Sequence, residues 1–241
     1  MSSFAPRPLV LSCLAVLALS ACQRANPPEA APAAPTPAPG ATATSYAAQH
    51  AGDYAVVPLK ADLSRFDENT RRMIALLVEA SEVTNDLYWK QSWDGDRTAL
   101  LARAPDAATR ELAEINYGPW DRLNEDTPFI DGVGPRPPGG PFYPADMTKA
   151  EFEAAQLPDK TSNYTVLARE NGKLVTVPYH VAYKPELERI ATLLREAAKL
   201  SADKSFAGYL NMRADALLSD DFRPSDMAWM DMKTNPVDIV I

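Results

Sequence analysis

The chain has 241 residues and a formal net charge of −8, from 24 Lys and Arg against 32 Asp and Glu. It contains no run of five basic residues, which argues against nucleic acid or anionic lipid headgroups as partners of its surface. Only two cysteines are present, so a disulfide framework is not what holds it together, and stability must come from packed apolar surface.

Taken in chain order, Arg7 precedes an apolar run from Leu9 to Ala21. That run is shorter than the roughly 20 residues needed to span a bilayer, and it fits a secretory signal. Leu19-Ser20-Ala21-Cys22 resembles the lipobox of bacterial lipoproteins, in which the chain is cut before the cysteine and its thiol is acylated. Residues 1–21 are therefore expected to be a signal peptide and Cys22 the lipidation site. The mature protein would be exported and held to a bacterial membrane, expected to be the outer membrane facing the periplasm, at about 0.8 kcal/mol per buried methylene. Losing Arg7 leaves 23 basic and 32 acidic side chains, a charge of −9, and Cys13 leaves with the signal.

Residues 22–52 read as the lipidated cysteine and a disordered Ala/Pro tether. Eleven alanines and six prolines fill residues 23–52, too little apolar surface to offset the entropy of ordering. Extended at about 3.1 Å per residue, such a tether reaches roughly 90 Å. The folded part is expected over 53–241, α+β and predominantly helical.

Phe66, Met73, Leu77, Ser81, Thr84 and Tyr88, with Ile74, Val78 and Leu87 beside them, predict an amphipathic helix over 63–92. Asp106 can cap a second helix, and Thr148-Lys149-Ala150-Glu151 is a capping box opening a short helix to about Gln156. Asn171-Gly172 between the β-favouring runs around Tyr164, Val166, Thr176 and Val177 predicts a hairpin. Leu187, Ile190, Ala191, Leu194, Ala197 and Ala198 mark a helix over 184–200. Phe206, Tyr209, Leu210, Arg213, Ala214 and Leu217 mark another. The run Val237–Ile241 reads as a terminal strand with nothing after it, and the chain therefore reads as incomplete.

Chemistry is sparse. His50 falls in the tether and His180 stands alone after Tyr179, so no pair has metal-ligand spacing. There is no Gly-x-Ser-x-Gly elbow, and Gly132-Val133-Gly134 runs into prolines rather than a helix. No catalytic residue and no metal ligand is assigned. Candidate cleft residues are Asn116, Tyr117, Trp120, Asp121 and Arg122, with Phe142 and Tyr143 at the end of the Pro/Gly-rich loop 132–144. Trp120 and Tyr117 are expected to be buried, and Asp121 and Arg122 to satisfy each other or nearby backbone. Met227, Met230 and Met232 suit a packed element, although thioethers can also select cuprous ion.

Several of these segments resemble the N-terminal part of bacterial dipeptidyl-peptidase III zinc metallopeptidases. The matching stretches are Leu76-Leu77-Val78-Glu79-Ala80 through Tyr88-Trp89-Lys90-Gln91 and Asn116-Tyr117-Gly118-Pro119-Trp120-Asp121-Arg122-Leu123. They continue with Phe142-Tyr143-Pro144-Ala145-Asp146-Met147-Thr148, Arg213-Ala214-Asp215-Ala216-Leu217-Leu218, and Ser225-Asp226 through Trp229-Met230-Asp231. The resemblance spans roughly residues 65–241. It implies one lobe of a two-lobed exopeptidase, with zinc held in the other lobe by a His-Glu-x-x-Gly-His or related motif and a downstream glutamate. There a zinc-bound water attacks the peptide carbonyl and the motif glutamate is the general base. A Glu and a Tyr that hold the substrate follow, in the family, a strand like Val237–Ile241. Neither the zinc motif nor that Glu/Tyr element is in this sequence. The expectation is a substrate-lobe fragment of a lipid-anchored peptidase, its partners being the membrane, a peptide and a missing C-terminal catalytic lobe that carries the zinc. Two alternatives stand beside it: a complete, non-enzymatic periplasmic lipoprotein that binds a ligand or protein partner, and a copper-holding lipoprotein.

Overall fold

The computed structural model describes residues 44–233, 235–237, 239 and 240; the expected signal peptide, the lipidation expected at Cys22 and the expected tether up to residue 43 lie outside the described residues. The elements are α1 (Tyr46–His50), α2 (Glu68–Ser92), α3 (Arg97–Ala102), α4 (Ala107–Asn116), β1 (Trp120–Asp121), β2 (Thr127–Pro128), α5 (Lys149–Ala154), β3 (Thr165–Glu170), β4 (Lys173–Pro178), α6 (Tyr179–Ala182), α7 (Lys184–Leu200), α8 (Lys204–Leu217) and α9 (Arg223–Asp231). The lobe is predominantly helical, with two small antiparallel sheets, β1–β2 and β3–β4.

The core is a three-helix layer. Helix α7 sits between α2 and α8, burying Leu187, Ile190, Ala191, Leu193, Leu194, Ala197 and Ala198 at helical spacing. Against it lie Met73, Leu77, Ala80 and Leu87 of α2 and Phe206, Tyr209, Leu210 and Ala214 of α8. Each large apolar side chain fully removed from water contributes about 1.5–3 kcal/mol. The alanines of α7 let the helices approach closely, and Lys184–Leu200 has the bounds the sequence predicts.

Helix α2 starts at Glu68 rather than near residue 63, because the Asp67 carboxylate accepts from Thr70 N at 2.7 Å while its own backbone stays extended. The expected apolar stripe is also rotated. Ser81, Thr84 and Tyr88 face solvent, and the two hydroxyls bond back to Leu77 O and Ala80 O. Past Leu87 the buried positions become Trp89 and Ser92, and Trp89 joins a second cluster with Leu100, Ala113 and Ile130. Helix α3 in that cluster, capped by Asp96, is not among the sequence-predicted elements.

Asp106 caps α4 as expected, accepting from Thr109 N at 2.7 Å. The helix ends on Tyr117 in the left-handed region (φ 53), with Gly118 N bonding Ala113 O at 3.1 Å. The hairpin is also as expected. Asn171 (φ 50) and Gly172 (φ 77) both take the positive φ that a type I′ turn requires, with Glu170 opposite Lys173 and Leu167 opposite Thr176.

Two expectations are corrected. The tether does not reach residue 52: Ser45 caps α1, Ala47 is buried, and the segment packs against α4. Small residues that cannot form a core of their own are held there by neighbours from elsewhere in the chain. The C-terminal strand is also absent among the described residues. Val237 instead is buried in the three-helix cluster with Ile239 packed against it. Asn235 bonds Val237 N at 3.3 Å and donates to Val237 O, so this backbone is satisfied locally rather than in a ladder.

Candidate functional site

The loop expected to present aromatic residues walls a cleft of about 610 Å³. One wall is Trp93 and Trp120, whose rings meet edge-on at 5.3 Å between centroids. The other is the Pro/Gly run from Gly132 to Pro141, with Tyr143 and Phe152 beyond it. Prolines keep this wall stiff because their φ is fixed. The loop is tied down at one point by Trp120, whose Nε1 donates to Gly134 O at 2.9 Å. Phe152 is set by α5, which Thr148 caps at its start and Lys160 caps at its end, donating to the carbonyls of Phe152, Glu153 and Ala155.

The motif Asn116-Tyr117-Gly118-Pro119-Trp120-Asp121-Arg122 is divided among three tasks. Only Trp120 faces the cleft. Asp121, fully buried, is bound not by Arg122 but by Tyr54 Oη at 2.7 Å, Asn124 Nδ2 at 2.8 Å, Leu123 N at 3.1 Å and Tyr46 Oη at 3.1 Å. Burial pushes this carboxyl up, but the donors, Tyr54 foremost, outweigh it and hold it below the usual carboxylate range. The same contacts, after burial, raise the Tyr46 and Tyr54 hydroxyls. Asp121 thus fastens residues 44–54 to the body. Asn116 is structural as well: its Oδ1 accepts from Arg122 N at 3.0 Å and its Nδ2 donates to Leu112 O. Arg122 reaches the Tyr88 hydroxyl at 2.8 Å and Ser92 Oγ at 3.3 Å. Tyr117 is half-buried, donating to Asn85 Oδ1 at 2.5 Å.

The structure therefore brings Trp120 and Tyr143 to one cleft and leaves the other candidates behind or beside it. Phe142 stacks on Tyr179 and does not line the cleft. Sequence reasoning missed Trp93, Arg103 and Phe152. Nothing local marks them, although Trp93 follows directly on the helix that the periodicity locates. Met227 and Met230 are about half exposed rather than packed, because α9 lies at the edge of the core; only Met232 packs against it. His180 is an anchored residue, its Nδ1 lying 2.7 Å from Asp220 Oδ2. His50 stacks on Tyr46 at 4.2 Å and meets Asp53 at 2.8 Å, part of the folded lobe rather than of a tether. Among the described residues no three or more His, Cys, Asp or Glu side chains form a group that could hold a metal ion.

The chain is similar in structure to DPP III from Caldithrix abyssi, with a TM-score of 0.74 and 35% identity over 80% of this chain and 38% of that one. It is likewise similar to dipeptidyl-peptidase III from Corallococcus sp. strain EGB, with a TM-score of 0.71 and 36% identity over 78% of this chain and 37% of that one. A curated relative, Nudix hydrolase 3 of Arabidopsis thaliana, is 24% identical over 250 residues, covering 78% of this chain and 32% of that protein. No family model matches the chain. The chain thus spans about a third of the length of the proteins it matches, and over that span it has the fold of part of a dipeptidyl-peptidase III.

Proposed function

We propose that this chain is the substrate-binding lobe of a dipeptidyl-peptidase III-like peptidase, in which an extended peptide lies along the aromatic and proline-walled cleft. The observation that carries the reading is the shared fold at 35% identity with the Caldithrix abyssi DPP III, in a lobe that owns an apolar cleft of about 610 Å³, a size and lining suited to small ligands. In this reading Trp120 and Tyr143 hold apolar side chains of the peptide by area burial and ring contacts, and the stiff loop keeps them in place before the ligand arrives.

The family likeness implies zinc. The described residues do not fit it, and no step of chemistry is routed through it in this lobe. The metal and its general base belong, on this reading, to a second lobe matching the part of the relatives outside the aligned stretch. The chain is further read as anchored through acylated Cys22, on the strength of Leu19-Ser20-Ala21-Cys22. Metabolic labelling with palmitate should mark the wild type and leave Cys22→Ala unlabelled; an unlabelled wild type ends that part of the proposal.

The test of function is titration of this chain with apolar tri- and tetrapeptides, followed by tryptophan fluorescence. Trp120→Ala and Tyr143→Ala are expected to weaken binding about tenfold or more, the loss of one aromatic contact. The chain alone should release no dipeptides. Failure to bind any peptide overturns the substrate-lobe reading. Stoichiometric zinc together with dipeptide release from this chain alone overturns the placing of the metal in another lobe.

A further inference from the structure

We infer that Arg103 is a specificity residue of this cleft, capturing a carboxylate of the bound peptide. The inference rests on the substrate-lobe reading and adds to it the charge of the ligand. The chain is acidic overall, at −8, yet the charged side chains lining its cleft are Arg103, Arg136 and Lys149 against Asp94 alone. A cationic pocket in an anionic molecule selects for negative charge brought in by the ligand.

The three cations are not equivalent. Arg136 is engaged by Asp126 at 3.2 Å, and Lys149 stands 3.7 Å from Glu153 on the exposed side of α5. Arg103 has no carboxylate partner among the described residues. Its Nη2 donates to the backbone carbonyl of Asp131, and the same nitrogen lies against Gly132, where an added Cβ would come within 3.3 Å of it. Gly132 itself takes φ +74, so the position favours glycine on two grounds. Glycine there leaves room for the guanidinium beside the start of the loop.

The outcome is an exposed cation on the cleft lining, with one donor used on the loop and the rest of the planar fork without a protein partner among the described residues. That fork matches a carboxylate through two parallel hydrogen bonds. Lying on the same cleft as Trp93, Trp120, Tyr143 and Phe152, it fits a peptide carrying an apolar or aromatic side chain with a carboxylate nearby. That carboxylate can be an acidic side chain or a free C-terminus.

The experiment titrates the chain with four tetrapeptides that share one aromatic residue. They carry Glu or Gln beside it, and a free or an amidated C-terminus. In the wild type the preferred carboxylate should bind about tenfold tighter than its neutral counterpart, an advantage that shrinks as salt is raised. Whichever pair shows the advantage names the source, side chain or terminus. Arg103→Gln should erase the difference between the charged and the neutral peptide, whatever loss of the bond to Asp131 O costs both of them in common. Arg103→Lys, which keeps charge but not the fork, should restore part of it. If Arg103→Gln weakens acidic and neutral peptides alike, the residue only supports the loop and the inference is overturned. If neutral and acidic peptides bind equally in the wild type, the inference falls while the cleft reading stands. If none binds, both fall.

Discussion

The cluster between α2, α7 and α8 draws its residues from runs in which Leu and Ala recur every three or four positions. The cluster around Trp89 takes one side chain each from α2, α3, α4 and the loop at Ile130. In the first, burial is repeated many times along three long helices, and no single contact decides the geometry. In the second, single hydrogen bonds do: Trp120 to Gly134 O, Arg103 to Asp131 O, Tyr117 to Asn85, and Phe129 N to Pro119 O at 3.0 Å. On the proposed reading of the cleft, the difference separates stability from recognition. Stability resides in the helical layer; the cleft is shaped where few, specific bonds hold loops in place.

The largest expected effect comes from breaking the first region. Phe206 is fully buried between α8 and its neighbours, and Phe206→Ala should cost about 3–5 kcal/mol. Trp89, Trp93 and Trp120 sit in the second region, and the fourth tryptophan, Trp229, lies in α9, so in a Trp229→Phe background fluorescence reports on the second region and circular dichroism chiefly on the long helices. Urea unfolding of Phe206→Ala in that background should shift both signals together. Fluorescence left at its original midpoint would show that the cleft region stands without the helical layer, contrary to the comparison.

Asp121→Ala is expected to be smaller, about 2 kcal/mol, because four donors then lose a buried acceptor. Its signature is local: faster proteolysis of residues 44–54, the segment that Tyr46 and Tyr54 tie to Asp121. The carboxyl's depressed pKa fixes the sign of the pH effect. Its contribution is present above the unfolded value of about 3.9 and disappears as pH falls through the folded one. Wild type should therefore lose stability below about pH 4 more steeply than the variant. Equal slopes would mean that Asp121 is not the group whose ionisation fastens the arm.

Those two regions also differ in how far the sequence reveals them. Helix α7 is legible to its bounds because apolar period, Pro185 near its start and a polar exit agree. The hairpin is legible because Asn171-Gly172 has few other uses. The stripe of α2 is misread at Ser81, Thr84 and Tyr88 because these residues keep helical spacing while facing water. Period alone does not say which of two adjacent faces is covered. Trp120 and Tyr143 could be singled out as unusual residues in turns. The joining of Trp93, Arg103 and Phe152 to them could not, since it depends on bonds between segments far apart in the chain. Asp121 and Arg122, read as satisfying each other or nearby backbone, show the same limit: Asp121 does accept from Leu123 N, but its other donors are Tyr46, Tyr54 and Asn124, and Arg122 reaches Tyr88 and Ser92.

The smallest expected change in stability is at Trp120, where the cleft and the helical layer should respond most differently. Trp120→Phe keeps an aromatic ring beside Trp93 and removes the donor to Gly134 O together with part of a buried indole. Gly134 is exposed, so water can replace that donor, and the donor's share of the cost should be about 1 kcal/mol or less. Recognition should suffer more than stability. With that tie gone, the loop from Gly132 to Pro144 keeps the ion pair of Arg136 with Asp126 but is no longer fixed against residue 120, and a ligand must order that stretch on binding. Peptide affinity is therefore expected to fall severalfold, with faster amide exchange confined to that loop. An affinity loss no greater than the stability loss, with exchange unchanged, would place the shape of the cleft in its prolines rather than in this single bond.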